Sequence, residues 1–240
     1  MRTPNHLLPI VLLVSVLVGA PACQGLPPDV GRTILGAGGG ALDDGTIADG
    51  LREALRVGTE RAVGKTSQID GFLGNRLIRI AMPDDVRKMT DTLRKIGLGA
   101  QVDELETSMN RAAEKASGEA VDVFWDAVSS MTIDDARRVL EGGKHSATKL
   151  LRERTSGELT RRFQPIVKTK MDEVGLSRLY GDLAAQYNAL PLVRDKAPDL
   201  DTYVTDRTLD GLFTMLGKEE ERIREDPVAR TTELLRRVFE

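Results

Sequence analysis

Apolar positions recur every three or four residues along most of this chain, and that spacing predicts helices. Ile47, Leu51, Ala54, Leu55, Gly58 and Ala62 make the first stripe. It starts at a capping box, Thr46 to Asp49, and stops near Gly64. The period is lost over residues 66–82. There TSQIDGFLGN reads as turns and RLIRIAM as extended chain, a long ordered loop with at most one short strand or hairpin near residues 76–82. Pro83 opens a second helix at a position where its missing amide costs nothing. Val86, Met89, Leu93 and Ile96 are its inward face and Gly97 its stop. One long helix follows over about residues 100–129. Val102, Leu105, Met109, Ala112, Ala116, Ala120, Val123, Phe124 and Ala127 line a single face, and its alanines allow close helix neighbours.

Thr132 to Asp135 is a second capping box, and Gly142-Gly143 closes the short helix behind it. From Ser146 the pattern resumes, bends around Thr155 to Gly157 and runs on to Val174, with Pro165 inside. Leu176 to Leu190 is another helix. Pro191 and Pro198 bracket a loop, Asp199 caps a helix reaching about Glu225, and Asp226-Pro227 starts a last one whose Leu234, Leu235, Val238 and Phe239 are apolar. The sum is an all-α, single-domain array of about seven to nine helices. Aromatic residues are only 4% of the chain, so Leu, Val, Ile, Met and Ala must build the core, which suits helices better than sheets.

The amino end is of another kind. Leu7 to Ala20 is nearly unbroken apolar chain behind Arg2, shorter than the roughly 20 residues a bilayer span requires. Residues 1–22 therefore read as an export signal. Cys23 follows Ala20, Pro21 and Ala22 and is the only cysteine, so no internal disulfide is available. Two readings stay open: a lipobox that lipidates Cys23, or a plain A-x-A cut that leaves its thiol free. Lipidation with two or more chains would anchor the protein stably. Gln24 in place of Asp then points to the outer membrane with the body facing the periplasm; the alternative is a soluble periplasmic protein. Residues 23–45, with Pro27, Pro28 and the Gly36–Gly40 cluster, form a flexible tether, and 46–240 the helical domain.

Charge narrows the partners. Loss of Arg2 takes the formal net charge from −3 to −4, with both signs interleaved. Nucleic acid is not the expected partner, because no basic footprint is present. The locally basic run from Lys149 to Lys170 reads as a solvated face. Gly58 to Thr66 imitates a phosphate loop but has five residues between its glycines where four are needed. With His6 in the signal, His145 is the one remaining histidine, so a usual zinc site is not supplied; a serine–histidine hydrolase would depend on His145, which sits beside the Gly142-Gly143 turn and reads as a surface helix cap. No cofactor or metal is expected. Trp125, beside Phe124, reads as helix packing and not as a stacking platform for a sugar.

Particular words along the chain carry a resemblance. They are Gly50-Leu51, Glu53-Ala54-Leu55, Met109 to Glu114, Gly142-Gly143, Ala147-Thr148, Arg152 with Thr155, and Pro165 to Val167. Tyr203 to Thr205, Leu209 to Phe213, Glu220, Ile223-Arg224 and Asp226-Pro227 complete them. Over nearly all of residues 46–239 the chain resembles domain-of-unknown-function family 4197, with local departures at Asn75-Arg76 and Lys144-His145. The resemblance implies an exported bacterial helical protein and brings no established activity. It singles out Asn110, Arg111, Glu114, Arg152, Thr155, Asp210, Glu220 and Asp226 as a candidate polar network or binding site. The expected function is a lipid-anchored binding or structural module of the cell envelope. Its partners would be the membrane through Cys23 and an envelope protein, lipid or small apolar ligand. The alternative is a periplasmic enzyme using acidic residues such as Glu114, Asp210 or Glu220.

Overall fold

The computed structural model describes residues 43–173, 175–189, 200–233 and 236. Cys23, the signal, the expected tether as far as residue 42, the Pro191–Pro198 loop and the apolar end of the last predicted helix lie outside the described residues; the expected start of that helix at Asp226-Pro227 is a 3-10 turn instead, and residues 230–232 are not helical. Among the described residues the regular structure is helical, with no strand. The elements are α1 (Asp44–Thr66), α2 (Asp84–Lys95), α3 (Gly99–Ser117), α4 (Ala120–Ser129), α5 (Ile133–Glu141), α6 (Ser146–Glu173), α7 (Leu176–Asn188) and α8 (Leu200–Glu225). A 3-10 turn, Pro227–Ala229, follows.

The all-α reading holds, and the differences lie at helix boundaries. Helix α1 starts at Asp44, ahead of the expected Thr46. Its cap is Asp43, whose carboxylate accepts from the Thr46 backbone N–H at 2.9 Å and the Thr46 hydroxyl at 2.6 Å. Thr46 is thus a donor inside the first turn. The predicted long helix is interrupted at Gly118-Glu119, where the Glu119 N–H bonds the Ala116 carbonyl three residues back. The expected bend near Gly157 is absent: α6 runs unbroken through Thr155 and Pro165. Ile96 is 56% exposed because its helix ends at Lys95, which carries it off the buried stripe of Val86, Met89 and Leu93. The Thr132–Asp135 capping box forms as expected.

Helix α8 is the hub. It packs against α1, α3 and α6, and buried residues such as Val204, Leu209, Leu212, Phe213, Leu216 and Ile223 cover several of its faces. A helix apolar on more than one side belongs in an interior. Helices α4 and α5 lean on α1 and α6, while α2 and α7 cover α3. Phe124 of α4 meets Phe213 of α8 edge to face, with ring centroids 5.7 Å apart. One continuous apolar cluster runs from Ala48 to Leu216.

The loop between α1 and α2 is laid onto this body. Phe72, Ile78 and Ile80 are buried, and Phe72 lies over Gly211 of α8. A methyl group on Gly211 would stand 2.5 Å from the ring, closer than carbon atoms approach. The glycine of the Leu209–Phe213 word is therefore the floor on which the loop rests.

Candidate functional site

Eight polar residues were expected to form a network, and the structure distributes them among separate groups. Asn110 sits on α3, fully buried, facing the irregular segment before Pro83. Its side-chain oxygen accepts from the Ile80 N–H at 2.8 Å. Its side-chain nitrogen donates to the Ile80 carbonyl at 2.9 Å and to the Glu106 carbonyl at 2.8 Å. The amide gives Ile80 the two bonds that a neighbouring strand would otherwise supply. Buried backbone groups need such partners, so a stretch with strand-like composition stays ordered without a sheet.

One turn along α3, Glu114 serves the other end of the loop. One carboxylate oxygen accepts from the backbone N–H groups of Phe72 and Leu73, at 3.1 and 3.2 Å. The other accepts from Arg111 at 2.7 Å, and Arg111 also reaches Asp70 at 2.8 Å. Asp70 has a φ of 64°, the left-handed conformation of a tight turn. The hydrogen bonds to Glu114 and Asp70 push the Arg111 pKa up, against the pull of burial.

Glu220 belongs to a different cluster. It projects from α8 at the start of α6, where it accepts from the N–H groups of Ala147 and Thr148 at 3.1 and 2.8 Å and from the Thr148 hydroxyl at 2.7 Å. Arg224 donates to it at 3.1 Å and also bonds the Val139 carbonyl and the Ser146 hydroxyl, each at 2.8 Å. An anion at a helix N-terminus satisfies unpaired amides and opposes the helix dipole. Four donors occupy this carboxylate, about its full accepting capacity.

The rest are local. Arg152 pairs with Asp210 at 3.0 Å on the surface and lies 4.5 Å from the centre of the Phe213 ring. Thr155 returns its hydroxyl proton to the Leu151 carbonyl of its own helix. Asp226 accepts from the Val228 N–H and shapes the 3-10 turn.

Two further buried carboxylates were not among the candidate site residues. Asp135, the capping-box residue, accepts from the Thr132 N–H at 3.0 Å and from Arg154 at 2.6 Å, with Arg138 on its other oxygen. Burial works against its charge, yet these bonds hold its pKa well below the usual carboxylate range. Glu219 is buried on α8 and paired with Lys65. Capping spacing was a usable signal for Asp135. Glu219 had none, because its partner lies far away in the chain.

The open surface carries other residues. A groove of about 340 Å³ lies where α1 passes α4. It is lined by Asp49, Arg52, Glu53, Arg56, Trp125, Val128, Ser129 and Thr232. Trp125 is not packed into the body, as the sequence had suggested, but 42% exposed. Arg56 stands 6.0 Å from its ring centre. Arg56 also bonds both oxygens of Glu53 at 2.9 Å and Glu60 at 2.9 Å. Those bonds push the guanidinium pKa up and the Glu53 pKa down, so neither group titrates near neutrality. Arg52 pairs with Asp49 at 2.7 Å and donates to the Met131 carbonyl at 2.7 Å.

A second cavity, between α1, α8 and the start of α6, is only about 20 Å³, room for a water and not for an apolar ligand. Residues 58–66 all lie within α1, which removes the phosphate-loop imitation. Among the described residues no cluster of three metal-ligating side chains occurs, and no helix is long and apolar enough to cross a membrane.

The chain belongs to the family described as "Protein of unknown function (DUF4197)", whose model matches residues 41–240. No curated protein and no solved structure matches the chain.

Proposed function

We propose that this protein is a tethered binding module of the cell envelope. In this reading residues 1–22 are removed on export and Cys23 carries the lipid. The segment up to Asp44 is the leash, and the helical body presents the Trp125 groove to its ligand. The observation that carries the binding half is a division of labour. Asn110, Glu114 and Glu220 are engaged in holding a loop and a helix end, whereas the groove between α1 and α4 has a half-exposed tryptophan at its edge. An enzyme reading would need free carboxylates, and Glu114 and Glu220 are occupied by backbone donors while Asp210 is paired with Arg152 and Arg207. Apolar cargo is disfavoured by the size of the inner cavity.

Two measurements test the two halves. Cys23→Ser is expected to move the protein from the membrane fraction to the soluble fraction; an unchanged distribution removes the anchor. Trp125 is the only tryptophan, so its oxidation by N-bromosuccinimide reports the groove. It is expected to react more slowly in native envelopes than in purified protein. Equal rates in both would remove the groove as the site of binding.

A further inference from the structure

The lining of the Trp125 groove restricts the chemistry of what fits it. Asp49 and Glu53 face Arg52 and Arg56, so equal numbers of acids and bases meet there. Each guanidinium is already matched by a carboxylate at 2.7–2.9 Å. An anionic ligand would have to displace those carboxylates and would gain little. An acyl chain would strip water from charged groups without returning a hydrogen bond, which is costly. A cation would compete with arginines that stay charged.

A neutral polyhydroxylated ligand meets none of these objections. Its hydroxyl groups both donate and accept, so one ring can bond a carboxylate and a guanidinium together with no change in net charge. The ion pairs hold those groups in fixed positions, which lowers the ordering cost of binding. The face of a pyranose ring is made of C–H groups and suits an aromatic surface, whose quadrupole presents negative charge to them. Trp125 offers that surface, with Val128 beside it. The volume of about 340 Å³ lies at the small end of ligand sites, about 300–1,000 Å³.

We infer that the groove between α1 and α4 binds one or two units of a neutral glycan, stacked on Trp125 and hydrogen-bonded by the Glu53–Arg56 and Asp49–Arg52 pairs. This rests on the groove being the binding site and adds the class of ligand.

The test is the emission of Trp125 in the purified full-length protein, titrated with tetra-N-acetylchitotetraose and with cellotetraose. Saturable change is expected with at least one of them, half-complete near about 1 mM, as befits a shallow site. In Arg56→Ala the half-saturation point should rise about tenfold or more, with helicity and melting unchanged. In Lys168→Ala, on an exposed face away from the groove, it should not move. No saturable response to either sugar up to about 10 mM overturns the inference, as does a response that Arg56→Ala leaves intact. If sugars fail while envelopes still protect Trp125 from oxidation, the groove binds something else and only the glycan is lost. If protection is absent too, the groove reading falls with it.

Discussion

The face of α3 that holds the loop and the groove between α1 and α4 use similar side chains to opposite ends. Around Asn110 and Glu114, the polar atoms point at backbone that has no other partner, and the apolar cluster closes over them. Around Arg56, the polar atoms are paired with Glu53 and Glu60 and stay partly exposed; Arg52 divides its bonds between Asp49 and the Met131 carbonyl. Desolvation makes the difference. A buried amide or carboxylate that lost its partner would be costly, so the first group is committed to architecture. Exposed ion pairs add little stability, so the second group is not needed for the fold and is open to further bonds with a ligand. The position of a polar residue relative to the core, more than its type, separates the two roles.

The comparison breaks most visibly at Asn110. Asn110→Ala leaves the Ile80 N–H and carbonyl buried without partners. It should cost about 3 kcal/mol or more, roughly 6–12 °C in melting temperature for a body of this size. A melting point within a degree or two of the wild type would mean that the loop does not depend on α3.

Glu220→Ala is the next largest. It removes the acceptor for two α6 amides and leaves Arg224 without its carboxylate, at about 2–3 kcal/mol, read in urea unfolding as a lower midpoint with an unchanged slope. Gly211→Ala should follow at about 1–3 kcal/mol through overpacking against Phe72; Phe72→Leu, by withdrawing the ring, should recover part of the loss in the double variant.

Asp135 sharpens the comparison through pH. Its folded pKa is depressed, so its contribution is fully present above the unfolded value, about 3.9. That contribution is lost as pH falls from there toward the folded value. Asp135→Asn should be less stable than wild type at pH 7, and the gap should narrow below about pH 4. A gap that stays constant would separate Asp135 from the acid response.

Smallest of all, Trp125→Ala should change stability by about 1 kcal/mol or less while abolishing whatever the groove binds.

Much of this was legible before the structure. The aliphatic stripes are governed by the helical period, and nearly every residue placed on one is buried. The Thr132 capping box was legible because its bonds are local. Boundaries were harder where a local rule had competitors: Asp43 takes up the amide and the hydroxyl of Thr46, so the helix begins earlier with Thr46 in its first turn, and α6, packed against α8, runs straight through Gly157. The candidate site was legible as residues but not as groups. Asn110 and Glu114 are one turn apart and do face the same loop; Arg152, Glu220 and Asp226 meet different neighbours, which spacing along the chain does not reveal. Trp125 is the instructive miss. Consecutive residues on a helix do not face the same way, so the burial of Phe124 against Phe213 turns Trp125 outward.

The central claim is that Asn110 replaces a strand for the loop and so belongs to the architecture. Amide hydrogen exchange at Ile80 tests it most directly. The account predicts protection comparable to the amides inside α3 in the wild type, collapsing by orders of magnitude in Asn110→Ala while α3 itself stays protected. An Ile80 amide that exchanges in the wild type as fast as an exposed turn would contradict it.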